Sequence, residues 1–250
     1  MKKAVGAVCF IYKVYVGIVF AVTLLIFYPL IFITLLKLDW RKYSFPINVV
    51  WSYCVRLLTF VHVWYVKRAV IPKGPYMIVA NHTSYFDIFL MYSILPNHRF
   101  LFMGKSEILS YPLVKTFFKR LNIPVDRSDR MKAAKAFIQA KQAIANGWSL
   151  VIFPEGGIPD NERPQMVPFK DGAFKLAKGA NIPIVAVTFL DNYHIFSDPN
   201  ELNYAHPGIS RVIVHEAIPA TTVAAMSEKE LSDHVFNMIA EPLRQRGLMA

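Results

Sequence analysis

At 250 residues the chain has room for one large domain, or for one domain with an appendage. Its hydrophobic content of 54% and positive mean hydropathy are too high for an ordinary soluble domain, and its net charge of +11 calls for an anionic partner: nucleic acid, lipid headgroups or a phosphorylated substrate. The two cysteines, Cys9 and Cys54, give no sign of a disulfide framework and leave residues 66–250 without a thiol nucleophile, and no CxxC, HExxH or zinc-finger spacing argues for zinc or nucleic-acid chemistry.

The apolar excess lies at the N-terminus. From Val14 to Leu36, 23 residues carry no charge. As a helix this run would measure roughly 35 Å, against a hydrocarbon core of about 30 Å. It is apolar on every face, unlike a core helix of a soluble domain. Lys2 and Lys3 precede it, but its length and its ending in Lys37-Leu38-Asp39-Trp40-Arg41-Lys42, with no small-residue cleavage site, read as a retained membrane anchor and not as a signal peptide. Pro29 is expected to kink or split the helix, which would let the segment enter one leaflet and return. A second apolar stretch, Phe45 to Tyr65, is interrupted by Arg56 and His62 and carries Trp51, Tyr53, Trp64 and Tyr65, which suit a membrane interface. The two stretches predict a helical hairpin or a helix lying in the interface, with residues 1–65 as the membrane-anchoring region. The excess of Lys and Arg after Leu36 predicts that residues 66–250 face the cytoplasm, at an inner or plasma membrane.

Beyond the anchor, short apolar runs of β type alternate with helical ones. Strands are expected at Val63–Val66, Tyr76–Ala80, Phe100–Met103, Ile123–Val125, Leu150–Phe153, Ile182–Thr188 and Arg211–His215. Helices are expected at Ser84–Ser93, Tyr111–Arg120, Arg130–Asn146, Phe169–Lys178 and Glu228–Arg244. Gly147 stands where a left-handed helix cap is expected, and Ser227-x-x-Glu230 reads as a capping box. The alternation predicts an α/β fold, a central and largely parallel sheet flanked by helices, with residues 66–250 as one domain.

In open α/β sheets, ligands collect beyond the carboxyl ends of strands. His82 follows the strand ending at Ala80, Lys105 the one ending at Met103, Arg127 the one ending at Val125, and Glu155-Gly156-Gly157 the one ending at Phe153. If these strand ends adjoin, a base, two cations and a carboxylate line one cleft. Two roles compete for Asp87 in Asn81-His82-Thr83-Ser84-Tyr85-Phe86-Asp87. At the start of a helix its carboxylate can orient the imidazole of His82 for proton abstraction, or it can close a capping box on Ser84. Residues 101–150 alone carry nine Lys or Arg against Glu107, Asp126 and Asp129, and the membrane segments favour an anionic lipid or a phosphorylated substrate as their partner over nucleic acid. His194, His206, His215 and His234 are scattered and read as ordinary surface or core residues.

Taken in order, these segments resemble the motifs of the glycerolipid acyltransferases, specifically the 1-acylglycerol-3-phosphate acyltransferase type. Asn81-His82-x4-Asp87 resembles the first, Ile123-Pro124-Val125-Asp126-Arg127 the second, Phe153-Pro154-Glu155-Gly156 the third, and Ile182-Pro183-Ile184-Val185-Ala186-Val187 the fourth. The resemblance covers roughly residues 76–190, and it implies His82 as general base with Asp87 as its orienting partner. It implies Arg127 with Lys105 as ligands of an acceptor phosphate, Glu155 and Gly156 as positioners of the acceptor's glycerol part, and Pro183 with its strand on the acyl-donor side. One departure stands out. Where the family commonly continues Thr-Arg-Ser, this chain has Gly157-Ile158-Pro159, so Arg163 or Lys170 would have to supply the missing charge, or the acceptor headgroup differs, as in a lyso-aminolipid.

The reaction so implied moves a fatty acyl chain from acyl-CoA or acyl carrier protein to the free hydroxyl of a lysophospholipid in phospholipid biosynthesis, with 1-acylglycerol-3-phosphate giving phosphatidic acid. A thioester is already activated, so the acceptor hydroxyl can attack once its proton is taken. No covalent intermediate, metal or organic cofactor is implied. Ser84 lies beside the pair, but a Ser-His-Asp arrangement usually draws on separate chain segments. A non-catalytic protein that binds anionic membranes, or a hydrolase that uses the pair on water, are the competing readings.

Overall fold

The structure, a computed structural model, describes residues 2–110, 112–159, 165–197 and 204–249. In chain order its elements are α1 (Lys2–Thr34), α2 (Arg41–Leu58), β1 (Val61–Arg68), β2 (Met77–Ala80), α3 (Phe86–Ile94), β3 (Phe100–Lys105), α4 (Pro112–Leu121), β4 (Ile123–Val125), α5 (Arg130–Ala145), β5 (Ser149–Ile152), α6 (Gly172–Ala180), β6 (Ile184–Phe189), α7 (Asn192–Ile195), β7 (Gly208–Val214), α8 (Ala220–Ala225) and α9 (Glu228–Gln245). The strands form one seven-stranded sheet in the order β1-β7-β6-β2-β5-β3-β4. From β6 to β4 each pairing is parallel, with Ile78 of β2 level with Val151 of β5 and Val185 of β6. Every residue of β2, β5 and β6 is buried, as expected for unbroken apolar strands covered on both faces. The predicted α/β class and its largely parallel sheet are what the chain forms.

The chain divides into two compact units. One comprises Met1–Val66, His82–Asn97 and Phe189–Val212; the other Lys67–Asn81, His98–Thr188 and Ile213–Ala250. In the first, α1 and α2 lie antiparallel. Near one end the hydroxyls of Tyr12 and Tyr15 donate to the carbonyls of Thr59 and Leu58, at 2.6 Å each. At mid-length Trp51 stacks on Phe20 and Phe27 and donates its indole N–H to Thr23 Oγ1 at 3.0 Å. The other side of α2 meets α3: Trp51 packs edge-on against Phe89, and Ser52 Oγ donates to the Phe89 carbonyl. Ser44, Asn48 and Ser52, spaced by four, form a buried polar stripe along α2. The second unit contains α4, α5, α6, α8 and α9, and the buried side chains of Phe174, Leu176, Val235 and Ile239 belong to its core.

Three sequence expectations need correction. Of the kink or split expected at Pro29, the split does not occur, since α1 runs unbroken from Lys2 to Thr34 with Pro29 inside it. The second apolar stretch is helical only to Leu58, and the strand expected at Val63–Val66 begins two residues earlier, at Val61. Phe60 takes a left-handed φ of 55°, and Val61-His62-Val63-Trp64-Tyr65 continues as strand β1, as its β-branched and aromatic residues favour. The short helices α7 and α8 were not expected, since four and six residues are too few to show a helical period. The helix caps are as expected: Gly147 has φ +79° after α5, and Ser227 and Glu230 exchange the two bonds of a capping box. Tyr111, expected to open α4, lies outside the described residues.

His215 ends the strand region of the second unit with its Nε2 2.8 Å from the hydroxyl of buried Thr188. Burial, and secondarily the charge of Lys67, push its imidazole down to about 4. Because the folded value lies below the ordinary histidine value of about 6.5, the neutral ring's contribution to stability is complete above that value. It is lost as pH falls from there through about 4. Proton NMR should find His215 titrating near pH 4, and His215→Gln should flatten the loss of stability between those two values relative to the parent chain.

Candidate active site

The chain leaves β2 at Ala80 and reaches His82 two residues on, inside a loop that leads into α3. Asp87 is the second residue of that helix and is fully buried, and His82 is 8% exposed. Nδ1 of His82 lies 3.0 Å from Oδ2 of Asp87. A carboxylate only accepts, so Nδ1 carries the proton and Nε2 is the basic nitrogen of the neutral ring. The same Oδ2 accepts the backbone N–H groups of Thr83 at 2.7 Å and Ser84 at 2.9 Å. The bond from Ser84 N is the one a capping box would make, so the bond to the imidazole and half of that box fall on a single oxygen. The box is incomplete in its other half, because Ser84 Oγ takes the N–H of Phe86.

The other carboxylate oxygen has a partner from far along the chain. Asn192, in α7, donates from Nδ2 to Asp87 Oδ1 at 2.5 Å, and its own Oδ1 accepts Ser210 Oγ at 2.6 Å. Asn192, Ser210 and Asp87 are all buried. Nothing in the motif reading singled out Asn192 or Ser210. A signal for Asn192 was available: it is a polar residue just past an apolar strand, the position that marked the other candidates. Ser84 is fully buried and donates its hydroxyl to the Phe196 carbonyl at 2.7 Å, so it serves the architecture of the loop. His82, Asp87, Ser84, Asn192 and Ser210 all belong to the first compact unit.

The remaining candidates gather in the second unit. Pairing of β3 with β4 sets Lys105 level with Val125, two residues before Arg127. The turn after β5 has Gly156 at φ +90°, where a side chain would be strained. A Cβ added there would fall 2.5 Å from Arg127 Nη1 and 2.6 Å from Lys170 Nζ, and one at Gly157 would fall 3.4 Å from Lys105 Nζ. Three cations therefore converge on one glycine turn. Desolvation, then the charges of Arg127 and Lys105, hold the Lys170 ammonium below the usual lysine range. Asp126, adjacent to Arg127, is engaged elsewhere. It accepts Ser128 Oγ at 2.6 Å and Lys132 Nζ at 3.0 Å, and these bonds pull its carboxyl down to about 2. Glu155 is buried, and its Oε2 accepts the N–H of Val167 at 3.2 Å. Pro183 stands just before β6, its carbonyl accepting the N–H of Met77. Arg163 lies outside the described residues. Among the described residues no three His, Cys, Asp or Glu side chains gather as a metal site.

A family model described as acyltransferase matches residues 62–190, which contain every candidate named in the motifs. Among curated proteins, the chain is 30% identical over 180 residues to a 1-acyl-sn-glycerol-3-phosphate acyltransferase of Saccharomyces cerevisiae, covering 70% of this chain and 57% of that protein. It is 28% identical over 176 residues to one of Chlamydomonas reinhardtii, covering 69% and 51%. The chain thus spans about half the length of the curated relatives it matches. In fold it is similar to the crystal structure of the 1-acyl-sn-glycerophosphate (LPA) acyltransferase PlsC from Thermotoga maritima, with a TM-score of 0.76 at 21% identity over 99% of this chain and 98% of the other. With its motifs on the ends of the predicted strands and the family model covering more than half its length, this chain belongs to the acyltransferase family.

Proposed function

We propose that this protein transfers a fatty acyl chain from a thioester, acyl-CoA or acyl carrier protein, to the free hydroxyl of 1-acylglycerol-3-phosphate, giving phosphatidic acid. The observation that carries the reading is the His82–Asp87 pair. Nε2 takes the proton of the attacking hydroxyl, and Asp87 stabilises the imidazolium that forms. The oxygen then attacks the thioester carbon, and collapse of the tetrahedral species expels the thiolate, which takes the proton back from His82. Asn192, by filling Oδ1, keeps the carboxylate from turning away from the ring. Arg127 and Lys105 hold the acceptor's phosphate, Glu155 and Gly156 position its glycerol part, and Pro183 with β6 serves the donor side. The gathering of Arg127 and Lys105 at the Gly156–Gly157 turn favours a phosphorylated acceptor over a lyso-aminolipid.

We further propose that residues 1–65 anchor the protein in one leaflet, with residues 66–250 as the catalytic domain on the cytoplasmic face of an inner or plasma membrane. Gly6–Thr34 is long and apolar enough to cross a bilayer. Yet α2 runs beside it and carries Asn48 and Arg56, and α2 in turn packs on α3, which holds Asp87. A spanning α1 would draw these groups to its own depth, at about 2.5–3.5 kcal/mol for each charge at the bilayer centre. Lying along the surface, α1 instead offers Ile11, Ile18, Val22, Leu25, Leu30 and Ile33, all exposed, to the acyl chains.

His82→Ala should keep folding and membrane association and lose about 10²- to 10⁴-fold in acyl transfer; a fully active variant would refute the base assignment. Asn192→Ala should lower kcat by about ten- to a hundredfold, the worth of a hydrogen bond to a charged group, with little change in KM. An equal loss in KM alone would place Asn192 in substrate binding. In a background with Cys9 and Cys54 changed to serine, single cysteines at Lys2 and Leu38 should react with an impermeant maleimide from the same side of sealed vesicles. Labelling from opposite sides would show that α1 crosses.

A further inference from the structure

The turn after β5 holds more positive charge than the motif residues account for. Lys170 is tied by its backbone N–H to the Pro154 carbonyl at 3.0 Å, which fixes it beside the turn although the two lie 16 positions apart in the chain. Its Nζ and Arg127 Nη1 crowd the same point over Gly156, and Lys105 Nζ stands over Gly157. Among the described residues none of the three forms an ion pair with a carboxylate. Like charges at such separations repel, and an anion bearing two charges placed among them relieves the repulsion and accepts from several donors at once. A phosphomonoester has that charge and three terminal oxygens. The glycines keep the approach open, since a side chain at 156 would occupy the space where the cations meet.

We infer that Lys170 completes a phosphomonoester site with Arg127 and Lys105 around the Gly156–Gly157 turn, and that the ligand it binds there is the acceptor's phosphate. This rests on the reading of the protein as an acyltransferase for a phosphorylated lysolipid. Lys170 then supplies the charge that Gly157-Ile158-Pro159 lacks. A phosphomonoester has two sources in this reaction, the acceptor's headgroup and the ribose phosphate of an acyl-CoA donor, and a KM for each substrate tells them apart. The lowered position of Lys170 gives a further signature: it loses charge earlier in the alkaline range than an ordinary lysine, whereas arginine would not.

The full chain in lipid vesicles is assayed as the parent protein, Lys170→Gln and Lys170→Arg, with binding of inorganic phosphate measured alongside. Lys170→Gln should raise the KM for 1-acylglycerol-3-phosphate about tenfold with kcat nearly unchanged and donor KM unmoved, and should weaken phosphate binding to a similar degree. Lys170→Arg should restore both and abolish the rise in acceptor KM that the parent shows at alkaline pH. Unchanged phosphate binding and acceptor KM in Lys170→Gln would overturn the assignment, as would a rise confined to the donor KM. A parent protein that acylates no phosphorylated lysolipid, yet binds phosphate through Lys170, would defeat the proposed reaction and uphold the site.

Discussion

The candidate active site depends on the hydrogen bonding of one buried carboxylate. Asp87 has no exposure to solvent and gathers four donors, from His82, Thr83, Ser84 and Asn192, over its two oxygens. Burying such a group without partners would be very costly, so the donors are a condition of the fold as much as of the chemistry. Two of them are backbone N–H groups of the loop that leads into α3, which fix that loop to the first turn of the helix. The third comes from a segment 105 positions away in the chain, which closes the arrangement from the other side. The imidazole is the remaining donor, and its orientation follows from the other three.

The proposed anion site is built from different means. Its residues are exposed at strand ends and on the loop before α6, and no single bond fixes all of them. Parallel pairing of β3 with β5 and β4 brings the ends of those strands side by side, and a glycine with positive φ lets the turn after β5 pass under the cations. His82 belongs to one compact unit and the cations to the other. The proposed proton transfer and the proposed phosphate binding thus rest on separate parts of the chain.

Much of this could be read from the sequence, for identifiable reasons. The inner strands are short apolar runs bounded by Pro, Gly or charge, so their identity and parallel pairing followed from composition and alternation. The five-residue spacing of His82 and Asp87 was readable because both lie in one turn. Asn192 was not, because its partnership with Asp87 is a tertiary contact between segments with no shared pattern. Lys170 was visible only as a nearby charge. Its place at the glycine turn depends on the bond from its backbone to Pro154, which no local periodicity reports. The start of β1 at Val61 was obscured because Val61 to Tyr65 are as apolar as the helix before them, and only the left-handed Phe60 separates the two.

The account stands most directly on what the protein makes from a thioester and a lysolipid. The protein reconstituted in vesicles should be given acyl-CoA and acyl carrier protein donors in turn, against phosphorylated and zwitterionic lysolipids, with released thiol and acylated lipid measured together. The account predicts one thiol released for each phosphatidic acid formed, with the phosphorylated acceptor preferred. Thiol release without acylated lipid, or no release with any pair, would contradict it.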